Sequence, residues 1–172
     1  MKKTVVMIHG MASGQWAWDN YRRVLETAGY TCIAVTLPYH NTDPSAAAEP
    51  KLGTASLLDY AAAVEQQIRA LPEKPIIIGH SMGGLIAQML AARGLAQAAV
   101  LITPAPPAGI LALTPSVLKT FSPIIGRWNF WKKSFRFPQH TAQYAILNRL
   151  SPAQQAAEYA SFVPESGRAA FE

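Results

Sequence analysis

The hydrophobic pattern separates two kinds of segment. Short apolar runs, "TVVMIHG", "TCIAVTLPYH", "KPIIIGH" and "AQAAVLITPA", read as strands that end in Gly, Pro or polar residues. Helix-length segments lie between them. In the first, Trp16, Tyr21, Val24, Leu25 and Ala28 recur at helical spacing, and Gly29 supplies the C-terminal stop. "TASLLDYAAAVEQQIRAL" reads as the second helix, with Thr54 or Ser56 as its N-cap, and "SMGGLIAQMLAARG" as the third. "NTDPSAAAEPKLG" is rich in Pro, Asp and small residues and reads as a loop. Strands alternating with helices imply right-handed βαβ units, hence an α/β fold with a mostly parallel sheet flanked by helices. Uninterrupted apolar strands fit a sheet covered on both faces.

After Pro104 the pattern changes. No further buried-strand run appears, and the chain becomes helical and Pro-punctuated. Thr114-Pro115 and Ser151-Pro152 share one grammar, a capping residue followed by Pro at the first helical position. Residues 1–103 are therefore read as the N-terminal part of an α/β core, and 104–172 as a helical cap subdomain.

Composition narrows the class. The chain has 172 residues, 50% of them hydrophobic and 15% charged, which suits one globular domain and excludes disorder. Its single cysteine, Cys32, rules out a disulfide within the chain, fits a reducing compartment and reads as a small core residue. Lys2 and Lys3 precede an apolar run, Val5–Ile8, too short for a signal peptide. No stretch reaches the ~18–20 apolar residues of a membrane span. The expectation is a cytoplasmic protein without stable membrane insertion.

The chemistry sits in "IIIGHSMGGLIAQ". Gly79-His80-Ser81-Met82-Gly83 matches G-x-S-x-G, with a strand before it and a helix after it. Such a turn is tight and holds its serine in a strained backbone conformation, so bulky side chains two residues either side would collide. The helix N-terminus behind Ser81 offers N–H groups and a positive dipole end to a developing oxyanion. The alternative is a plain strand-to-helix turn with an unreactive serine.

"HGMASGQWAW" after the first strand and "GHSMGG" after the third resemble the α/β-hydrolase superfamily, in particular its small esterase, lipase and hydroxynitrile-lyase-like branch. "PESGRAAFE" is similar to a cap segment of those enzymes. The resemblance implies Ser81 as nucleophile and the main-chain N–H groups of Met11 and Met82 as the oxyanion hole. Gly10, Gly79 and Gly83 are the loop and elbow glycines. It implies a loop-stabilising role for His9. It also implies a chain order of Ser, acid, His, with two further strand–helix units after the cap.

That order exposes a gap. Downstream of Ser81 the only acids are Glu158, Glu165 and Glu172, and the only histidine is His140. His80 should point away from the serine. His40, at the end of the second strand, and His140, in the cap, are the base candidates; each also reads as an ordinary histidine, His40 as a solvated loop residue. The expectation is a C-terminally incomplete hydrolase fold that lacks the acid and base and turns over poorly alone. Its last strand would be an uncovered sheet edge, which predicts a homodimer through that edge.

"RWNFWKKSFRF", Arg127–Phe137, places five aromatics among four cations. A nucleic-acid surface has no supporting fold here, and none is expected. A lipid-facing lid and a cap with buried aromatics and solvated cations are the other readings, and the second is preferred. No Cys/His cluster and no phosphate loop implies a cofactor or metal. The functional expectation is a serine hydrolase of small-molecule carboxylic esters. The alternative is a non-catalytic pseudoenzyme or small-molecule-binding protein on the same fold.

Overall fold

The computed structural model describes residues 3–40, 43–112 and 114–172. Asn41 and Thr42, inside the loop expected at 41–53, lie outside the described residues. The chain divides into two compact units, residues 1–38 with 57–107, and residues 39–56 with 108–172.

The first unit is a parallel sheet with helices. Its strands are β1 (Thr4–Ile8), β2 (Thr31–Ala34), β3 (Ile76–His80) and β4 (Ala98–Ile102), in the order β2-β1-β3-β4. Its helices are α1 (Asp19–Thr27), α2 (Leu57–Arg69) and α3 (Met82–Ala92). Alternating side chains of β1 leave the sheet on opposite faces. Val5 and Met7 join Trp18 and Ile78 in one cluster, against which Leu25 of α1 and Cys32 pack. Burial, and secondarily the charge of Glu26, pushes the Cys32 thiol pKa up, which keeps it a neutral packing group. Gly29 takes φ +90° where α1 stops, a left-handed conformation that glycine adopts without strain.

Sheet burial is uneven: cover on both faces holds for the central strands, and the last strand is the uncovered edge expected of it. β1 and β3 are central and buried, whereas β2 and β4 are edges. Every residue of β4 from Ala98 to Leu101 is exposed, with Val100 at 46% and Leu101 at 40%. Apolar composition records what a strand is suited to meet; its position in the sheet decides what it does meet.

The second unit is helical with one small antiparallel pair. It contains α4 (Pro115–Ile125), β5 (Ser134–Phe135), α5 (Gln139–Ala145), α6 (Pro152–Ala160), β6 (Glu165–Ser166) and α7 (Gly167–Phe171). β5 and β6 pair through Ser134–Ser166 and Phe135–Glu165, two-residue strands too short to leave a pattern in the sequence. Thr114 caps α4 by accepting from the Val117 N–H at 3.3 Å. Ser151 and Gln154 form a reciprocal capping box on α6, and both helices carry Pro in the first turn as the sequence predicts.

Segment 39–56, read from sequence as a strand end, the loop 41–53 and a helix start, is built into this unit. Ser166 Oγ donates to the Ala55 carbonyl at 2.6 Å, and Arg136 donates to that of Pro44 at 2.8 Å. A Cβ on Gly53 would stand 2.6 Å from the Ser134 nitrogen, so the approach of this segment to β5 requires glycine.

Candidate active site

The strand order creates a crevice. The chain leaves β1 to one side to make β2, then crosses back to make β3 and β4 on the other. Between β1 and β3 the winding reverses, and the carboxyl ends of those two strands are where an open α/β sheet holds ligands. The loop starting at Gly10 follows β1, and Ser81 follows β3.

Ser81 occupies the single residue between β3 and α3, with φ +53° and ψ −120°. This conformation is costly for a residue with a Cβ, and four main-chain hydrogen bonds impose it. The Ser81 N–H donates to the Ile102 carbonyl at 3.0 Å. The Ser81 carbonyl accepts from Gly84 and Ala105, each at 2.9 Å, and from Leu85 at 3.2 Å. β4 and the turn after it therefore clamp the elbow from outside the Gly-Ser-Gly motif.

Close backbone approach accounts for the glycines. A Cβ on Gly79 would collide with the Gly83 carbonyl, and one on Gly83 with the carbonyls of Ile8 and His9. A Cβ on Gly84 would stand 2.8 Å from that of Pro104. At Gly10 an added Cβ would lie 3.0 Å from His80 Nδ1 and 3.2 Å from the Ser81 Cβ, so the loop after β1 runs beside the serine. Neither the Met11 nor the Met82 N–H has an acceptor among the described residues. Met82 is the first residue of α3, where unpaired N–H groups and the positive dipole end coincide.

His9 is fully buried and supports this loop. The Leu37 N–H can only donate, and it meets His9 Nε2 at 3.3 Å. The other ring nitrogen, Nδ1, then carries the hydrogen and donates it to the Gly10 carbonyl at 2.9 Å. His80 lies with its Nδ1 beside Gly10, and loss of water there lowers its imidazole pKa from the ordinary value. The Ser81 hydroxyl has no hydrogen-bond partner among the described residues.

His40 differs from its reading as a solvated residue. In the second unit its Nε2 meets Glu165 Oε2 at 3.0 Å, with side-chain exposures of 1% and 0%. The other oxygen of Glu165 accepts from the Ser166 N–H at 2.7 Å. The separation of 125 positions between the partners leaves nothing in local spacing that could have paired them. The other base candidate, His140, is exposed in the first turn of α5. Among the described residues no group of three His, Cys, Asp or Glu could hold a metal ion. No helix there is long and apolar enough to cross a membrane.

Known proteins are similar to this chain in sequence and in fold. Salicylic acid-binding protein 2 of Nicotiana tabacum is 33% identical over 85 residues, 48% of this chain and 31% of that protein. Methylesterase 3 of Arabidopsis thaliana is 33% identical over 92 residues, 49% of this chain and 32% of that protein. The match thus spans about a third of the length of these curated relatives. Among solved structures, an extracellular alpha/beta-hydrolase from a Paenibacillus species superposes with a TM-score of 0.76 at 22% identity, covering 95% of this chain and 66% of its own. Polyneuridine aldehyde esterase superposes with a TM-score of 0.66 at 19% identity, covering 97% and 70%. At those identities the structures speak for the fold alone. The family model described as "Alpha/beta hydrolase family" matches residues 5–171, taking in β1, the strained serine turn and the helical second unit. With the winding reversal, the elbow and a match over nearly its whole length in agreement, the chain belongs to the alpha/beta hydrolase family.

Proposed function

We propose that this chain supplies the nucleophile and oxyanion hole of a serine hydrolase acting on small-molecule carboxylic esters. The observation that carries the reading is Ser81, held at φ +53° between β3 and α3 beside two unpaired N–H groups. Ser81 Oγ attacks the ester carbonyl, and its proton passes to a base. The Met11 and Met82 N–H groups take the oxyanion, the alcohol departs, and water releases the acid from the acyl-serine. Gly10, Gly79 and Gly83 make the close approach possible, and the second unit takes the role of the family's cap. The methylesterase and the esterase among the curated relatives support the substrate class.

The base is the incomplete part. His40 is engaged with Glu165, and His140 is exposed. Downstream of Ser81 the chain offers only Glu158, Glu165, Glu172 and His140, so in this reading it lacks the family's acid–histidine pair and turns over slowly alone. The exposed apolar edge of β4 supports self-association into a homodimer through that edge. Sedimentation of the wild type beside Val100→Lys tests this, and equal masses at all concentrations would dismiss it.

The second reading is a non-catalytic binding protein. The unpartnered Ser81 hydroxyl favours it, and one relative is itself named for binding salicylic acid. Fluorophosphonate labelling beside Ser81→Ala separates the two. Labelling faster than that of surface serines, and absent from the variant, supports the hydrolase. Labelling no faster than a surface serine supports the binding protein. Hydrolysis of a short-chain nitrophenyl ester then measures how much turnover the chain achieves alone.

A further inference from the structure

The aromatic–basic segment of the second unit is not absorbed by the ester chemistry. Trp128 is 86% exposed, Phe171 58% and Ile125 45%, a concentration of large apolar groups at the surface. Phe135 and Phe137 of the same segment are buried, so the preferred sequence reading holds for them and fails for Trp128.

The exposed Trp128 and Phe171 form one cluster with the half-buried Phe130 and Trp131. Trp131 meets Trp128 at 6.2 Å, Phe130 at 5.5 Å and Phe171 at 5.9 Å between centroids. Phe130 meets Phe171 at 6.0 Å. Cations border it. Arg127, Lys132 and Lys133 are exposed, and Lys133 Nζ donates to the Trp128 carbonyl at 3.4 Å. Arg168 lies 5.9 Å from the Phe171 ring and is paired with Glu172 at 2.8 Å. Apart from Glu172 no acid comes from nearby sequence: from Lys74 to Ala157 the chain contains no Asp or Glu.

We infer that this face of the second unit, centred on Trp128 and flanked by Arg127, Lys132 and Lys133, docks onto an anionic phospholipid surface. Indole and phenyl groups settle at the boundary between headgroups and acyl chains, and Lys and Arg beside them meet lipid phosphates and carboxylates. Ring geometry argues against nucleic acid as the occupant. Stacked bases need open, flat faces, whereas these rings are turned into one another at interplanar angles of 67°, 82°, 64° and 42°. Such docking is peripheral and involves no spanning helix.

The test is co-sedimentation of the purified full chain with vesicles of phosphatidylcholine alone, or mixed with phosphatidylserine at about 7:3. Binding is expected only with phosphatidylserine, and it should fall as salt rises. Lys132→Ala with Lys133→Ala should weaken binding roughly 25-fold, about fivefold per cation at low salt. Trp128→Ala should weaken it at every salt concentration. Circular dichroism confirms that both variants fold, which the exposure of these positions favours. No partition into anionic vesicles overturns the inference, as does binding that neither variant weakens. A single-stranded oligonucleotide that binds more tightly than the vesicles and displaces the chain from them would assign the face to nucleic acid instead.

Discussion

Replacing Ser81 by glycine should make the protein more stable while removing the proposed nucleophile. Ser81 sits at φ +53°, ψ −120°, a region that costs a residue with a Cβ about 1–3 kcal/mol and costs glycine almost nothing. Little else changes. All four hydrogen bonds that fix Ser81 are main-chain bonds and survive, and the hydroxyl has no partner to lose. Against the relief stands the greater freedom of glycine in the unfolded chain, about 0.5–1 kcal/mol. The net expectation is a gain of about 0.5–2 kcal/mol, or roughly 1–8 °C in Tm for a domain of this size. Ser81→Ala is the control, because it removes the same hydroxyl and keeps the strain. Urea unfolding followed by circular dichroism of wild type, Ser81→Ala and Ser81→Gly gives the comparison, with equal m-values as the condition for reading it. If glycine proves no more stable than alanine, the elbow is not strained and the argument from backbone conformation to function fails.

Further outcomes follow from individual contacts. Gly83→Ala drives a methyl into the rigid carbonyls of Ile8 and His9; chemical denaturation should show a loss of about 3 kcal/mol, with fluorophosphonate labelling of Ser81 falling alongside. His9→Ala strands the buried Leu37 N–H and leaves a cavity, and the same assay should report a loss of about 2–4 kcal/mol. His40→Ala removes one partner of a buried pair and should cost about 3–5 kcal/mol, while a double-mutant cycle with Glu165→Leu should return a coupling of about 1–3 kcal/mol; additivity would mean the two do not act together. His80 is exposed overall but loses water on the ring edge beside Gly10, which lowers its pKa, so below the ordinary imidazole pKa of about 6.5 the unfolded chain takes up a proton that the folded chain resists. Stability should therefore decline on acidification through that window, and His80→Asn should flatten the decline; an unchanged profile would contradict the burial argument.

The His40–Glu165 pair changes what the second unit is. Read along the chain, 39–56 is a connector and 164–172 a terminal segment. Folded, they are held together by a pair shielded from water, by the Ser166 bond to Ala55, and by two glycines, Gly53 and Gly167, whose missing side chains admit neighbouring backbone. A carboxylate at 0% exposure is tolerated only with partners, and Glu165 has the imidazole and the Ser166 N–H. The pair with His40 thus also accounts for a buried acid in a unit otherwise rich in exposed cations.

Local physics was enough for the sequence to determine the four parallel strands, the three helices between them, the capped starts at Thr114 and Ser151, and the serine elbow. Strand alternation, helical spacing and capping act within a few residues, so they leave their pattern in order along the chain. The elbow was legible for the same reason, since Gly79, Ser81 and Gly83 answer one tight turn. The uncovered last strand was legible too, but only the tertiary structure set the order β2-β1-β3-β4 that makes β2 the other edge and buries β1 and β3. Only it decided that Ile102 and Ala105 clamp Ser81, that His9 ties Leu37 to the loop after β1, and that His40 meets Glu165. These are contacts between distant residues, made when loops close and burial pairs whatever polar groups arrive together. A pairing of that kind carries no period and no spacing, so it has no signature until the chain folds.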